Sequence, residues 1–362
     1  MKIKVAKNTI QKKLSNIQGV VENTNTMPIL THFLLDVNKE GSHILATDLE
    51  TTLKQPVEAE VEQEGRVCIP ARKFFEIVRE LDGEIRLTLD KEGWLRVNSG
   101  ASSFKLATLP AEDFPAWPEM EASEEITLND DELLRIIEKT VFASGLDDKR
   151  YTLNGLLFHL RPENALVVVA TDGHRLAAIS KTIEGAGKES KAIVFRKAAA
   201  ELKKLLDKGK VKVALGKNHA LFEASGALFL TRLIEGTFPN YEQVIPQSNE
   251  IKVFLNREAF VKALRRASII SDNNLVVLDI SNGSVVISSS VPDYGDSKEE
   301  IQAGYRGENL RIGFNARYLL EALGVMDQEE VVFEIQDNHS PAVLRGKDEE
   351  DYKYVVMPVR LG

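Results

Sequence analysis

Two unrelated motifs recur in this chain at a single interval, and that interval constrains the architecture more than any other feature. Ala46-Thr47-Asp48 returns as Ala170-Thr171-Asp172, and Phe114-Pro115 returns as Phe238-Pro239, each 124 residues later. A period of that length is a domain rather than a solenoid unit, and 362 residues hold about three of them. Each stretch runs helix, strands, helix, strands. The second helices open with Pro70-Ala71-Arg72-Lys73-Phe74-Phe75, with Phe195-Arg196-Lys197, and with Phe314-Asn315-Ala316-Arg317-Tyr318-Leu319-Leu320. The third copy has neither Ala-Thr-Asp nor Phe-Pro and is read from its pattern alone. Polar, acidic connectors at 119–125 and 247–250 set the expected domains at 1–121, 122–248 and 249–362.

Apolar residues spaced i, i+3, i+4, i+7 predict helices over 7–20, 71–81, 130–143, 196–208, 257–270 and 315–325. Asn256 and Asn315 are the expected N-caps, and Gly209 and Gly324 the expected residues just past helix ends. Strand-length apolar pieces fall at 32–37, 85–89, 166–170, 211–215, 275–280 and 331–335. Turn signals such as Lys91-Glu92-Gly93 and Asn282-Gly283 predict antiparallel hairpins between neighbours. The fold class is α+β, with three similar domains in tandem.

With 43% apolar and 28% charged residues the chain is neither disordered nor collagen-like. It has no signal-peptide apolar region and no apolar run of the roughly 18 residues a membrane span needs. The single cysteine, Cys68, allows no intramolecular disulfide, which fits a reducing cytoplasm. The net charge of −9, taken alone, argues against nucleic acid as a partner. Its distribution argues the other way: the six helix candidates carry +8, leaving −17 on the rest of the chain. The 196–208 stretch alone holds Arg196, Lys197, Lys203, Lys204 and Lys208. Such segregation suits a basic interior face with an acidic exterior, although basic helices also arise as ordinary solvated faces.

Ring geometry makes the first reading testable. Six helices packed about 8–10 Å apart close a ring only ~19 Å across at their axes, with no room inside for a duplex. Twelve, from two copies, give about 38 Å and a lumen near ~28 Å, which clears a duplex about 20 Å wide. A chain of this length encircles DNA only as a dimer.

Phosphate-loop, dinucleotide-binding and G-x-S-x-G motifs are absent, and the six histidines show no zinc spacing, so neither cofactor nor metal is expected. Thr171-Asp172-Gly173-His174-Arg175-Leu176 is the most enzyme-like segment. Asp172 and His174 form either an acid–base pair or a turn about Gly173 whose polar side chains satisfy the backbone. The counterpart Thr47-Asp48-Leu49 lacks Gly-His-Arg. The C-terminus is apolar almost to its end: an edge strand through Val356, ended by Pro358, then Met357, Val359 and Leu361 as adaptable apolar surface suited to a peptide groove. Three classes follow: a ring on DNA, a catalyst using Asp172 and His174, or a repeat scaffold that binds only proteins.

Several long motifs in fixed order decide between these. Ala170-Thr171-Asp172-Gly173-His174-Arg175-Leu176-Ala177, Phe238-Pro239-Asn240-Tyr241, Gly313-Phe314-Asn315 and Val355-Val356-Met357-Pro358-Val359-Arg360-Leu361 closely resemble the bacterial DNA polymerase III beta subunit family, the sliding clamps. The resemblance spans the chain and includes Met27-Pro28-Ile29-Leu30 and Thr108-Leu109-Pro110-Ala111-Glu112-Asp113-Phe114-Pro115. It implies a head-to-tail homodimeric ring of six similar domains, with helices lining the hole and antiparallel sheets outside. It also implies a non-catalytic processivity factor that slides on double-stranded DNA without reading its sequence. Replicative polymerase, clamp loader, other polymerases and mismatch-repair proteins would dock Q-L-x-L-F-like peptides between the second and third domains.

By motif, the resemblance assigns that peptide pocket to Leu153, Thr171, Gly173, His174, Arg175, Leu176, Pro239, Val244, Asn315, Tyr318, Val343, Met357, Pro358, Val359, Arg360 and Leu361. Apolar members would bury the partner's leucine and aromatic side chains, and His174 and Arg175 would hydrogen-bond its polar end. DNA contacts would come from Arg72, Lys73, Lys149, Arg150, Tyr151, Arg196, Lys197 and Lys204, as exchangeable phosphate contacts. The dimer contact would set Ile269 and Ile270 against the region of Phe74 and Phe104. Four positions depart from the common family pattern: Thr24, Thr152, Gln243 and the added Gly362. The first three imply weaker direct DNA affinity at those points, and Gly362 an altered pocket rim.

Overall fold

The computed structural model describes residues 1–22, 27–183, 188–271 and 273–361, so Thr24 and Gly362 lie outside the described residues. The first copy opens with β1 (Lys2–Ala6), α1 (Lys7–Ile17), β2 (His32–Val37), β3 (Ser42–Thr47), β4 (Thr51–Val57) and β5 (Glu60–Gln63). It continues with β6 (Gly65–Pro70), α2 (Ala71–Glu80), β7 (Glu84–Leu89), β8 (Trp94–Ser99) and β9 (Ser102–Ala107). The second opens with β10 (Ala122–Asn129), α3 (Asp130–Thr140), β11 (Gly155–Arg161), β12 (Ala165–Thr171) and β13 (Arg175–Thr182). It continues with β14 (Ser190–Phe195), α4 (Arg196–Leu202), β15 (Lys210–Gly216), β16 (His219–Ala224) and β17 (Ala227–Arg232). The third opens with β18 (Ile251–Asn256), α5 (Arg257–Ala267), β19 (Leu275–Ser281), β20 (Ser284–Val291) and β21 (Gly295–Gly304). It continues with β22 (Leu310–Asn315), α6 (Ala316–Gly324), β23 (Glu330–Ile335), β24 (Ala342–Gly346) and β25 (Tyr352–Val356). Apart from the short β5, the copies match element for element.

Each helix buries one stripe. Ile10, Leu14 and Ile17 do so on α1, Ala71, Phe74 and Val78 on α2, and Phe260, Ala263, Leu264 and Ala267 on α5. Asn256 caps α5 by accepting from Ala259 N at 2.9 Å, and Asn315 caps α6 by accepting from Arg317 N at 3.0 Å. The expected C-terminal glycines are different: Gly324 is still helical, and Gly209 leads into β15. The helix expected over 196–208 stops at Leu202 because the chain tightens there. Lys204 N bonds to Glu201 O and Leu205 N to Leu202 O, both i→i−3. Asp130 then holds Asp207 N at 3.2 Å. Lys203, Lys204 and Lys208 therefore lie beyond the helix proper.

Among the described residues the strand pairings are antiparallel, in three sheets. Their orders are β5-β1-β7-β8-β9, then β10-β15-β16-β17-β4-β3-β2-β6, then β14-β11-β12-β13-β25-β24-β23-β18-β21-β20-β19-β22. Copies join edge to edge: β4 pairs with β17 (Leu53 opposite Phe229), and β13 pairs with β25 (Leu176 opposite Val355). These joins regroup the chain into two compact units, 1–134 with 197–233, and 135–196 with 234–362.

Within the second unit, α3 is pinned to the loop before β25. Lys139, with a side chain only 2% exposed, donates to Glu349 Oε1 at 2.8 Å, and Arg135 donates to the same oxygen at 2.8 Å and to Asp351 at 2.7 Å. Among the described residues no helix is long and apolar enough to cross a membrane, and no group of three or more His, Cys, Asp or Glu is placed to hold a metal. Cys68 is buried, which pushes its thiol pKa up to about 12.

Candidate functional site

The site is built on the turn between β12 and β13. Thr171 Oγ1 donates to the Arg175 carbonyl and accepts from Gly173 N at 3.0 Å. Asp172 Oδ1 accepts from His174 N at 2.9 Å and Arg175 N at 3.1 Å, while Gly173 takes φ +87°, a left-handed value that glycine adopts freely. Asp172 is thus spent on the backbone, as expected of a turn and not of an acid–base pair. The first copy repeats the device. Thr47 Oγ1 donates to Thr51 O and accepts from Leu49 N, and Asp48 Oδ1 accepts from Glu50 N and Thr51 N. There Leu49 occupies the left-handed position at φ +73°.

Arg175 locks the second-copy turn to its surroundings. Its Nε donates to Asp172 Oδ2 at 3.0 Å, Nη2 to the Phe142 carbonyl at 2.8 Å, and Nη1 to Glu321 on α6. The guanidinium lies 4.4 Å from the Tyr318 ring centroid and 5.5 Å from that of Phe142. Burial opposes its charge, but Tyr354, Glu321 and Asp172 outweigh burial and hold its pKa above the usual guanidinium value. With all three nitrogens engaged and the side chain 5% exposed, Arg175 holds the turn in this structure. His174 stays exposed, its ring stacked on Tyr318 at 6.5 Å between centroids.

Against this turn lies a cleft of about 150 Å³. Its floor is the buried apolar surface of Leu153, Leu176 and Val355, and its rim is Gly173, His174, Pro239, Val244 and Met357, with Thr171 and Arg175 beneath the turn. The cleft also takes in Arg150, Tyr241 and Val355, which the motif assignment left out of the pocket. Tyr241 and Val355 stood in the quoted motifs; Arg150 was given to DNA. Val343 is buried behind the floor with Leu176 and Val355, and the Asn315 side chain is occupied as a helix cap. Tyr318 packs under the turn.

The C-terminal strand ends at Val356 as expected, but it is not an edge strand, because β25 pairs with β24 on one side and β13 on the other. Beyond it Met357 N bonds to His174 O at 3.0 Å, and after Pro358, which has no N–H, Val359 N bonds to Gly313 O at 2.8 Å in a single isolated bridge to β22. Val359, Arg360 and Leu361 therefore run beside β22, outside the cleft wall, with Met357, Val359 and Leu361 each 37–39% exposed.

The assigned DNA contacts divide by unit. In the first, Arg72 and Lys73 are exposed on α2, with Lys73 paired to Glu76 at 2.5 Å; Lys197 pairs with Asp48 and Lys204 with Glu201, each at 2.6 Å. In the second, Lys149 and Tyr151 are exposed, the latter at 74%. Arg150 pairs with Asp148 at 2.8 Å, which draws the Asp148 pKa down to about 2. Arg196 is half-buried and donates to the Ser144 carbonyl at 2.9 Å; burial and then Arg175 lower its pKa. Its present role is a tie within the unit. Thr152 is half-buried and Gln243 exposed beside the cleft. Among the assigned interface residues, Ile269 is 78% and Phe104 39% exposed, and Ile270 is half-buried. Phe74 is fully buried against Phe33, at 5.8 Å between rings, so it backs the surface without forming it.

Three matching copies joined edge to edge, with an apolar cleft at their second junction, define a clamp-type scaffold that docks other proteins. The family comparison is specific. Residues 1–118, 127–240 and 242–360 match the N-terminal, central and C-terminal domains of the DNA polymerase III beta subunit. The chain is 36% identical to the beta sliding clamp of Pseudomonas aeruginosa and 37% identical to that of Pseudomonas putida, each over 100% of both chains. Solved structures agree: a Pseudomonas aeruginosa sliding clamp bound to griselimycin gives a TM-score of 0.96 at 36% identity, and the Thermotoga maritima DNA polymerase III beta subunit 0.93 at 29%, both with full coverage. The chain belongs to the DNA polymerase III beta subunit family, the sliding clamps. It is a non-catalytic processivity factor of DNA replication.

Proposed function

We propose that two copies of this chain close into a ring around duplex DNA, and that the cleft beside Gly173 and His174 tethers the replicative polymerase, clamp loader and repair factors by Q-L-x-L-F-like peptides. The observation that carries the reading is the cleft itself. It has a buried apolar floor, a rigid turn on one side and adaptable Met357 on the other, which is the arrangement an apolar peptide anchor requires. Fluorescence anisotropy of a labelled Q-L-x-L-F-type peptide tests it. The full chain is expected to bind in the micromolar range, about −8 kcal/mol. A form ending at Val356 is expected to bind at least tenfold more weakly; equal binding by both forms would remove the C-terminal segment from the site.

Strand order supports the dimer. In each internal join, the third strand after a copy's first helix or its equivalent (β4, β13) meets the last strand of the next copy (β17, β25). The same rule leaves β21 and β9 as complementary edges. β9 pairs only with β8, and β21 pairs with β20 and, at Ala303 and Gly304 alone, with β18, among the described residues. A second copy's β9 along β21 closes the series. Ser297 on β21 donates to the Ala267 carbonyl at 3.0 Å, so the exposed Ile269 lies just past the helix end tied to that edge. Replacing Ile269 and Ile270 by alanine is expected to shift sedimentation towards monomer; an unchanged mass would exclude them from the contact.

DNA contacts fit the sliding role. Lys73, Lys197 and Lys204 are exposed side chains held by single carboxylates, partners that a phosphate replaces without breaking the core. We assign the domains to 1–121, 122–248 and 249–362 and the location to the cytoplasm; the single buried thiol supports the latter.

A further inference from the structure

A second cleft follows the first along the same strand pair. In the β13–β25 ladder, Leu176 faces Val355 and Ala178 faces Lys353. Leu176 and Val355 line the cleft described above, whereas Ala178 and Lys353 line another, of about 440 Å³. Two residues along a strand are about 7 Å, the span of two residues of extended peptide. Tyr241 belongs to both clefts and stands between them.

That partition is fixed. Tyr241 is 6% exposed; its hydroxyl lies 2.9 Å from His159 Nδ1 and accepts from Arg161 Nη2 at 2.8 Å. The floor of the second cleft is apolar, formed by Val167, Ala178 and Ile245, and is continuous with the core beneath the first. The charges around it largely cancel: Arg161 pairs with Glu242, Asp351 with Arg135, and Glu350 stands on the same rim as Lys353. Nothing there selects a strongly charged ligand.

From this continuity we infer that the second cleft receives an apolar side chain two residues beyond the anchor of the same partner peptide. The chain then reads a longer segment than the core motif, and partners with an apolar residue at that distance hold on longer. The inference rests on the first cleft being the peptide pocket. Its test separates the two.

Five peptides suffice: the Q-L-x-L-F core alone, the core with a two-residue extension ending in leucine on its N-terminal or its C-terminal side, and an aspartate twin of each leucine extension as control. One leucine extension is expected to bind the full chain about three- to tenfold more tightly than the core, and its aspartate twin no more tightly than the core. Ala178→Lys fills the cleft, and Gln247→Trp overhangs it from an exposed position. Both are expected to cancel the gain while leaving core affinity unchanged, which also reports that the fold is intact. If neither extension gains, or if the gain survives in both variants, the second cleft takes no part in the peptide and the inference falls. Failure of the core peptide to bind the unaltered chain would instead overturn the pocket reading itself.

Discussion

Arg175→Ala is expected to lower the unfolding free energy by about 3–5 kcal/mol and to weaken core-peptide binding more than tenfold, because it strands buried charge. The variant leaves Glu321 with Arg317 alone, at 2.8 Å, and leaves Asp172 without its side-chain partner. It also frees the Phe142 carbonyl and unloads the faces of two aromatic rings. Each of these groups belongs to a different segment, so the turn bearing Gly173 and His174 loses its attachment to α6 and to the end of α3. Arg175→Lys keeps the charge but not the planar fork, and is expected to fall between the two. Chemical denaturation and peptide titration on the same samples check the result. An alanine variant with unaltered midpoint and affinity would show that the turn is held by its own backbone.

The second large effect is expected at Lys139. Its ammonium is buried between Glu349 and the Tyr352 ring, 4.9 Å from the ring centroid. Glu349 Oε2 and the Tyr352 hydroxyl have no hydrogen-bond partner among the described residues. Lys139→Ala is expected to cost about 3 kcal/mol, since Glu349 keeps only Arg135, which reaches it from a more exposed position. Lys139→Met combined with Glu349→Leu removes both charges and most of the desolvation they suffer, and is expected to recover the larger part of that loss. If the double variant is as unstable as the single one, the ion pair is a net source of stability, contrary to this reading. The pin joins α3 of the second copy to the approach of β25, so its loss is also expected to loosen the β13–β25 seam under both clefts.

Local features of the chain were legible where local chemistry decides them. The 124-residue recurrence of Ala-Thr-Asp marks the same Asx turn twice, with matching hydrogen bonds at Asp48 and Asp172. Asn256 and Asn315 cap the helices that their positions implied. Most of the cleft lining was carried by family motifs, as Thr171–Leu176, Pro239 and Met357 show. What escaped is non-local. The join of β13 to β25 pairs residues about 180 positions apart, and no period in the chain announces an edge that is completed by another copy. Arg175 reads as one more basic residue until Glu321, 146 positions away, is placed beside it. Val359 bonding to Gly313 beyond a proline is similar, since it depends on where the edge of β22 happens to lie. The helix at 196 was overextended because Lys203, Lys204 and Lys208 are good helix formers, whereas the link from Asp130 to Asp207 N is set by tertiary contact.

Leu49 and Gly173 occupy one position in two copies of the same turn. Leucine at φ +73° bears a left-handed penalty of about 1–2 kcal/mol, and its side chain, 48% exposed, projects where glycine projects nothing. The second turn leaves its apex bare beside the apolar cleft. On the proposed reading of that cleft, clients that dock through it compete for one berth, and which enzyme acts at a given moment is a matter of scheduling, decided by abundance and residence time.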